Sequence, residues 1–146
     1  METRIDFAKI NPDAYKAILG LEAYLAKTNL TVRHKDLVKI RASQVNGCAY
    51  CIDMHTKDAR KAGETEQRIY ALNAWQDAPY FTEEERAILA LTEEVTLISN
   101  HVSDATYNAA AKLLDEKYLA EVIMAIIIIN AWNRIGISTL MVPPID

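Results

Sequence analysis

The residues best equipped for chemistry in this sequence are Cys48, Cys51 and His55, within the run Cys48-Ala49-Tyr50-Cys51-Ile52-Asp53-Met54-His55. A thiolate is the reactive form of cysteine, and a free thiol is mostly protonated at neutral pH, so a redox cysteine needs help losing its proton. Asn46-Gly47 is a strong local break that puts Cys48 at or just before a helix start, where unpaired amides favour a negative sulfur. Cys51 lies one turn deeper, and His55 follows four residues later on the same face. At about 100° per residue the three side chains share a sector of roughly 60°. They supply an attacking sulfur, a resolving sulfur and a titratable imidazole, the parts of a dithiol that cycles through a disulfide.

Other uses of these residues have less support. As buried small hydrophobes the cysteines would need no histidine beside them. Zinc would accept Cys, Cys and His, but three ligands on consecutive turns leave no obvious fourth; a catalytic zinc with an open position is the alternative, and no metal and no cofactor is the expectation. Asp36 and Gln44 sit on the preceding helix, which the Asn46-Gly47 turn folds towards the cysteines. A carboxylate there is placed to hold His55 in one tautomer or to relay protons, although Asp36 also suits the first turns of a helix by itself. His101 reads as a capping or surface histidine. Asn130, Trp132, Asn133 and Arg134 read as anchors of the last helix, through packing and hydrogen bonds.

The elements that must position these groups are all helical. The first helix opens at Asn11-Pro12 and runs to about residue 27; a second covers about 32–45, after a cap at Asn29 or Thr31. Residues 48–62 form the third, stopped at Gly63, and 64–75 a fourth with Ile69, Leu72 and Trp75 on one side. Thr82 and Glu85 make a capping box for a helix to about residue 99. Ser103 or Asp104 caps a shorter one ending near 114. The last helix, about 116–140, is apolar on nearly every side between residues 122 and 129, which marks the central strut of the domain and a face covered by another subunit.

The 146 residues fit one domain, 1–146, with 51% hydrophobic and 25% charged residues. A net charge of -4 gives no field to attract nucleic acid or an anionic membrane. The basic run Arg33-His34-Lys35, followed by Asp36, reads as a solvated helix start. No segment suits a signal peptide, and the apolar run 122–129 is far shorter than the roughly 20 residues of a membrane span. A cytoplasmic location is expected, where C-x-x-C means redox chemistry or metal rather than a structural staple.

The stretch from Asp36 to His55, with its acid, C-x-x-C twelve residues later and histidine four further on, resembles the core motif of alkylhydroperoxidase D (AhpD)-like proteins of the carboxymuconolactone decarboxylase superfamily. Asn130-Ala131-Trp132-Asn133-Arg134 is similar to the C-terminal part of that family. The resemblance implies an all-α bundle of about six to seven helices, in trimers or hexamers. It implies peroxidase activity on small hydroperoxides, with Cys51 attacking, Cys48 donating a proton and then closing the disulfide, and His55 with Asp36 as the proton relay. A dithiol or partner redox protein would then reduce the disulfide. The usual family acid is glutamate; Asp36 is one methylene shorter, which calls for a bridging water or gives a weaker relay. The decarboxylase branch lacks the two cysteines, so their presence argues against lactone decarboxylation. A non-enzymatic redox sensor or disulfide reductase, and a decarboxylase-like enzyme that does not use the thiols, are the alternatives.

Overall fold

The computed structural model describes residues 2–145. Among them are eight α-helices and two 3₁₀ turns, with no strand: α1 Phe7–Ile10, α2 Pro12–Leu25, α3 Val32–Asn46, α4 Ala49–Lys61, α5 Glu66–Ala71, α6 Glu83–Thr96, α7 Asp104–Leu113 and α8 Glu116–Thr139. The helix starts follow the capping chemistry of the sequence. Asn11 accepts from Ala14 N ahead of Pro12, Thr31 from His34 N, and Ser103 from Thr106 N. Thr82 and Glu85 close a reciprocal capping box.

Three elements differ from the sequence reading. A single extra turn, α1, is capped by the Asp6 side chain, and four residues are too few to show a period. The expected helix 64–75 begins only at Thr65, its cap, and tightens into a 3₁₀ turn at Leu72–Ala74. Helix α6 stops at Thr96 rather than near 99. Glu94 draws the following chain back, accepting from Ser103 N at 2.7 Å and Thr106 Oγ1 at 2.7 Å. The extra turn α1 brings the α-helix count among the described residues to eight, against the about six to seven expected.

Helix α3 lies at the centre, packed on α8, α6 and α4. It feeds two apolar clusters at helical spacing: Val38 and Ala42 join the one around α8, and Leu37 and Ile40 join Leu72, Trp75 and Phe81 in the other. The buried positions Val122, Ala125, Ile126, Ile128 and Ile129 make α8 the core strut, while Ile127 keeps 46% of its surface exposed. By length and composition alone α8 is apolar enough to cross a membrane, but half of its most apolar window is buried within this bundle. The basic start of α3 is less solvated than its composition suggests. His34 Nδ1 pairs with Tyr118 Oη at 2.7 Å, and Lys35 Nζ donates to the Leu25 carbonyl.

Candidate active site

Gly47 ends α3 with φ +72, the left-handed region where a side chain is strained. That turn lets Cys48 N reach back to the Ser43 carbonyl at 3.0 Å and makes Cys48 the N-cap of α4. Cys48 and Cys51 are joined as a disulfide with Cα atoms 5.3 Å apart, and both are nearly fully buried, at 2% and 3% exposure. The turn is fixed from the other side by a polar ladder onto α8. Asn46 Nδ2 donates to Asn130 Oδ1 at 3.0 Å and Asn133 Oδ1 at 2.9 Å, while Asn133 Nδ2 donates to Ser43 Oγ at 3.0 Å. Arg134 reaches back to Asn130 Oδ1 at 2.8 Å, and Trp132 Nε1 donates to Glu22 Oε1 at 3.0 Å. The α8 residues expected to anchor the helix do so, and they anchor the cysteine turn with it.

One contact escaped the sequence reading. A Cβ built on Gly136 of α8 would lie 3.1 Å from Cys48 Sγ and 3.6 Å from Cys51 Sγ. The sulfurs therefore rest directly on α8 backbone. An isolated glycine inside a long helical pattern was the available signal, since such a residue usually has a packing reason.

Cys51 opens on a cavity of about 800 Å³, which His55 and Asp36 also line. Cys48 does not line it. The cavity wall is otherwise built from segments the motif does not contain: Phe7 and Arg4 from the N-terminal segment, Tyr15 of α2, Tyr50 and Met54 of α4, and Trp132 of α8. Tyr15 and Trp132 meet edge to face, with centroids 5.5 Å apart. Such size and lining match a small-molecule site. Asp36 and His55 thus open on one space, but no direct hydrogen bond joins them among the described residues. Gln44 faces elsewhere, accepting from Arg41 at 3.0 Å, and His101 is exposed.

Burial pushes the His55 imidazole down to about 4, helped by the Lys39 charge and opposed by Glu22 and Asp58. Burial pushes Asp36 up to about 6, with Asp58 and Glu64 adding to the rise and Lys39 opposing it. Lys39 is itself held by Glu22, Nζ to Oε2 at 3.0 Å. At neutral pH the imidazole is therefore uncharged, with a ring nitrogen able to accept a hydrogen bond, and Asp36 titrates near 6. No group of three or more His, Cys, Asp or Glu residues among the described ones is arranged to hold a metal. The site's chemistry is that of a buried dithiol–disulfide pair beside a neutral base.

Residues 12–94 match the model of the carboxymuconolactone decarboxylase family. The uncharacterized protein YdfG of Bacillus subtilis (strain 168) is 44% identical over 139 residues, covering 94% of this chain and 95% of its own length. A crystal structure from Agrobacterium tumefaciens, of a protein of unknown function proposed to be the antioxidant defence protein AhpD, superposes with TM-score 0.97 at 37% identity, covering 99% of this chain and 100% of that one. The debrominase Bmp8 shares the fold at 22% identity, with TM-score 0.85 over 93% of this chain and 74% of its own. The chain belongs to the carboxymuconolactone decarboxylase family, in its AhpD-like form with a paired Cys48 and Cys51.

Proposed function

We propose that this protein is a thiol-dependent peroxidase that reduces small hydroperoxides in the cytoplasm as a homotrimer or hexamer. The observation that carries the reading is the asymmetry of the two sulfurs: Cys51 faces the cavity beside His55, and Cys48 is bonded to it from the Gly136 side. Cys51 Sγ loses its proton to the neutral His55, with Asp36 as the further acceptor. The thiolate attacks the hydroperoxide, forming an S–O bond as the O–O bond breaks, and the alkoxide leaves as an alcohol after taking a proton. Cys48 Sγ then displaces water from the Cys51 sulfenic acid and closes the disulfide. A dithiol or partner redox protein supplies the two electrons that restore the thiols.

The test is steady-state consumption of a small alkyl hydroperoxide by the reduced protein with a dithiol donor. Turnover in the wild type, lost in Cys51→Ser, is the expected result. Stoichiometric oxidation to the disulfide without turnover would favour a redox sensor instead. Full activity in Cys51→Ser would end the thiol mechanism.

A further inference from the structure

Asp36 belongs to two cavities. Besides the one that holds Cys51, it lines a second of about 480 Å³, and among the described residues it is the one common to both. The second cavity lies among the start of α3, the end of α4 and the start of α6, with Ala62, Glu64 and Thr82 in its wall. Glu64 there is unusual. It is only 8% exposed, and its Oε1 accepts from Thr65 N at 2.8 Å and Arg68 Nε at 2.9 Å. Its Oε2 is the one buried side-chain N or O atom among the described residues that has no hydrogen-bond partner. Arg33 Nε stands 3.8 Å from it, within ion-pair range but beyond hydrogen-bond length. A buried carboxylate oxygen left in this condition is costly, and a proton or a water-borne donor relieves it.

A substrate that fills the first cavity covers Asp36 on that side at the moment when protons must move. We infer that Glu64 links Asp36 to solvent through the second cavity, so that the site exchanges protons while substrate occupies the first. This rests on the peroxidase reading above. One proton passes from Cys51 Sγ to His55. Cavity water carries it to the Asp36 carboxylate and on to Glu64 Oε2, since no direct hydrogen bond among the described residues spans either gap. One proton returns by the same route, either to the alkoxide or to replace the one Cys48 gives it, so thiol plus hydroperoxide gives sulfenic acid plus alcohol with no net proton released. Glu64 touches no reacting atom and acts through Asp36. The charged groups around this route are Lys35, Lys39 and Asp58 about Asp36, with Arg33, Arg68, Glu84 and Glu85 about Glu64, and His34 there is a titratable group that burial keeps neutral. Arg68 holds both Glu64 and Glu85, at 2.9 and 2.7 Å, which leaves Glu64 Oε2 as the uncommitted acceptor.

The experiment is single-turnover oxidation of the reduced protein by excess alkyl hydroperoxide, followed by rapid-quench thiol labelling in H₂O and D₂O, with and without imidazole as a diffusible proton carrier. Glu64→Gln is expected to slow oxidation about tenfold or more, to raise the solvent isotope effect and to be rescued by imidazole, with Glu64→Asp near wild type. Ala62→Leu, which narrows the second cavity without touching the Glu64 hydrogen bonds, should slow oxidation in the same way. It serves as the test if Glu64→Gln does not fold. Wild-type rates in these variants, or a loss with an unchanged isotope effect and no rescue, would overturn the inference while leaving the peroxidase reading standing. A wild type that hydroperoxide does not oxidise at all would overturn both.

Discussion

Replacing Asp36 by asparagine should expose an acid instability that the native site conceals. His55 has an ordinary value of 6.5 and is held near 4 by burial, so between those limits the unfolded chain binds a proton that the folded chain refuses. Stability from this group is complete above 6.5 and falls as pH drops towards 4, by about 3 kcal/mol in all. Asp36 works in the opposite direction. Its ordinary value of 3.8 is raised to about 6, so below 6 the folded chain holds a proton that the unfolded chain releases. That contribution grows as pH falls from 6 towards 3.8 and reaches about 2 kcal/mol, after a reduction for partial exposure. The two nearly offset one another in the wild type. In Asp36→Asn only the His55 loss remains. Urea unfolding of the disulfide form, in which neither sulfur titrates, measures this directly. Between about pH 7 and about pH 4 the variant should lose about 2 kcal/mol more than the wild type. Other carboxylates contribute equally to both proteins and drop out of the difference. Parallel pH dependences would refute the opposed shifts, and with them the assignment of Asp36 as the site's near-neutral acid.

Further outcomes follow from the groups that seat the disulfide. Gly136→Val places branched carbons against both sulfurs and should destabilise the oxidised protein by about 1–3 kcal/mol in urea unfolding, as overpacking does. A stability equal to wild type would mean that α8 does not bear on the disulfide. Asn133→Leu removes one hydrogen bond from Asn46, which keeps Asn130, and one from Ser43, which keeps the Lys39 carbonyl, and should cost about 1–3 kcal/mol. It should also slow disulfide closure in a thiol-labelling time course, because the ladder holds the Cys48 turn; an unchanged closure rate would separate the ladder from the site.

Much of the fold was written locally. Asn11-Pro12, Thr31, the Thr82–Glu85 box and Ser103 each mark a helix start by their own hydrogen bonds. Gly47 and Cys48 likewise define the turn into α4. Cys51 and His55 could be placed on one face because helix geometry alone sets that relation. What could not be read depends on contacts between distant segments. The seat at Gly136 needs α8 to cross the cysteine turn, and the aromatic wall needs Phe7, Tyr15 and Trp132 brought to one cavity. The unpartnered oxygen of Glu64 depends on how Thr65 and Arg68 occupy its other oxygen. The partner of Asn130 and Asn133 was missed for the same reason: Asn46 reads as a turn former, yet its amide ties α3 to α8.

The division of labour between the sulfurs is most directly tested by trapping the first oxidation product. Cys48→Ser, reduced and then treated with one equivalent of hydroperoxide and a sulfenic-acid-specific carbon nucleophile, should carry the adduct on Cys51 by peptide mass analysis, and Cys51→Ser should carry none. An adduct on Cys48 in Cys51→Ser, with Cys51 unmodified in Cys48→Ser, would reverse the roles and contradict the assignment of the cavity-facing sulfur as the nucleophile.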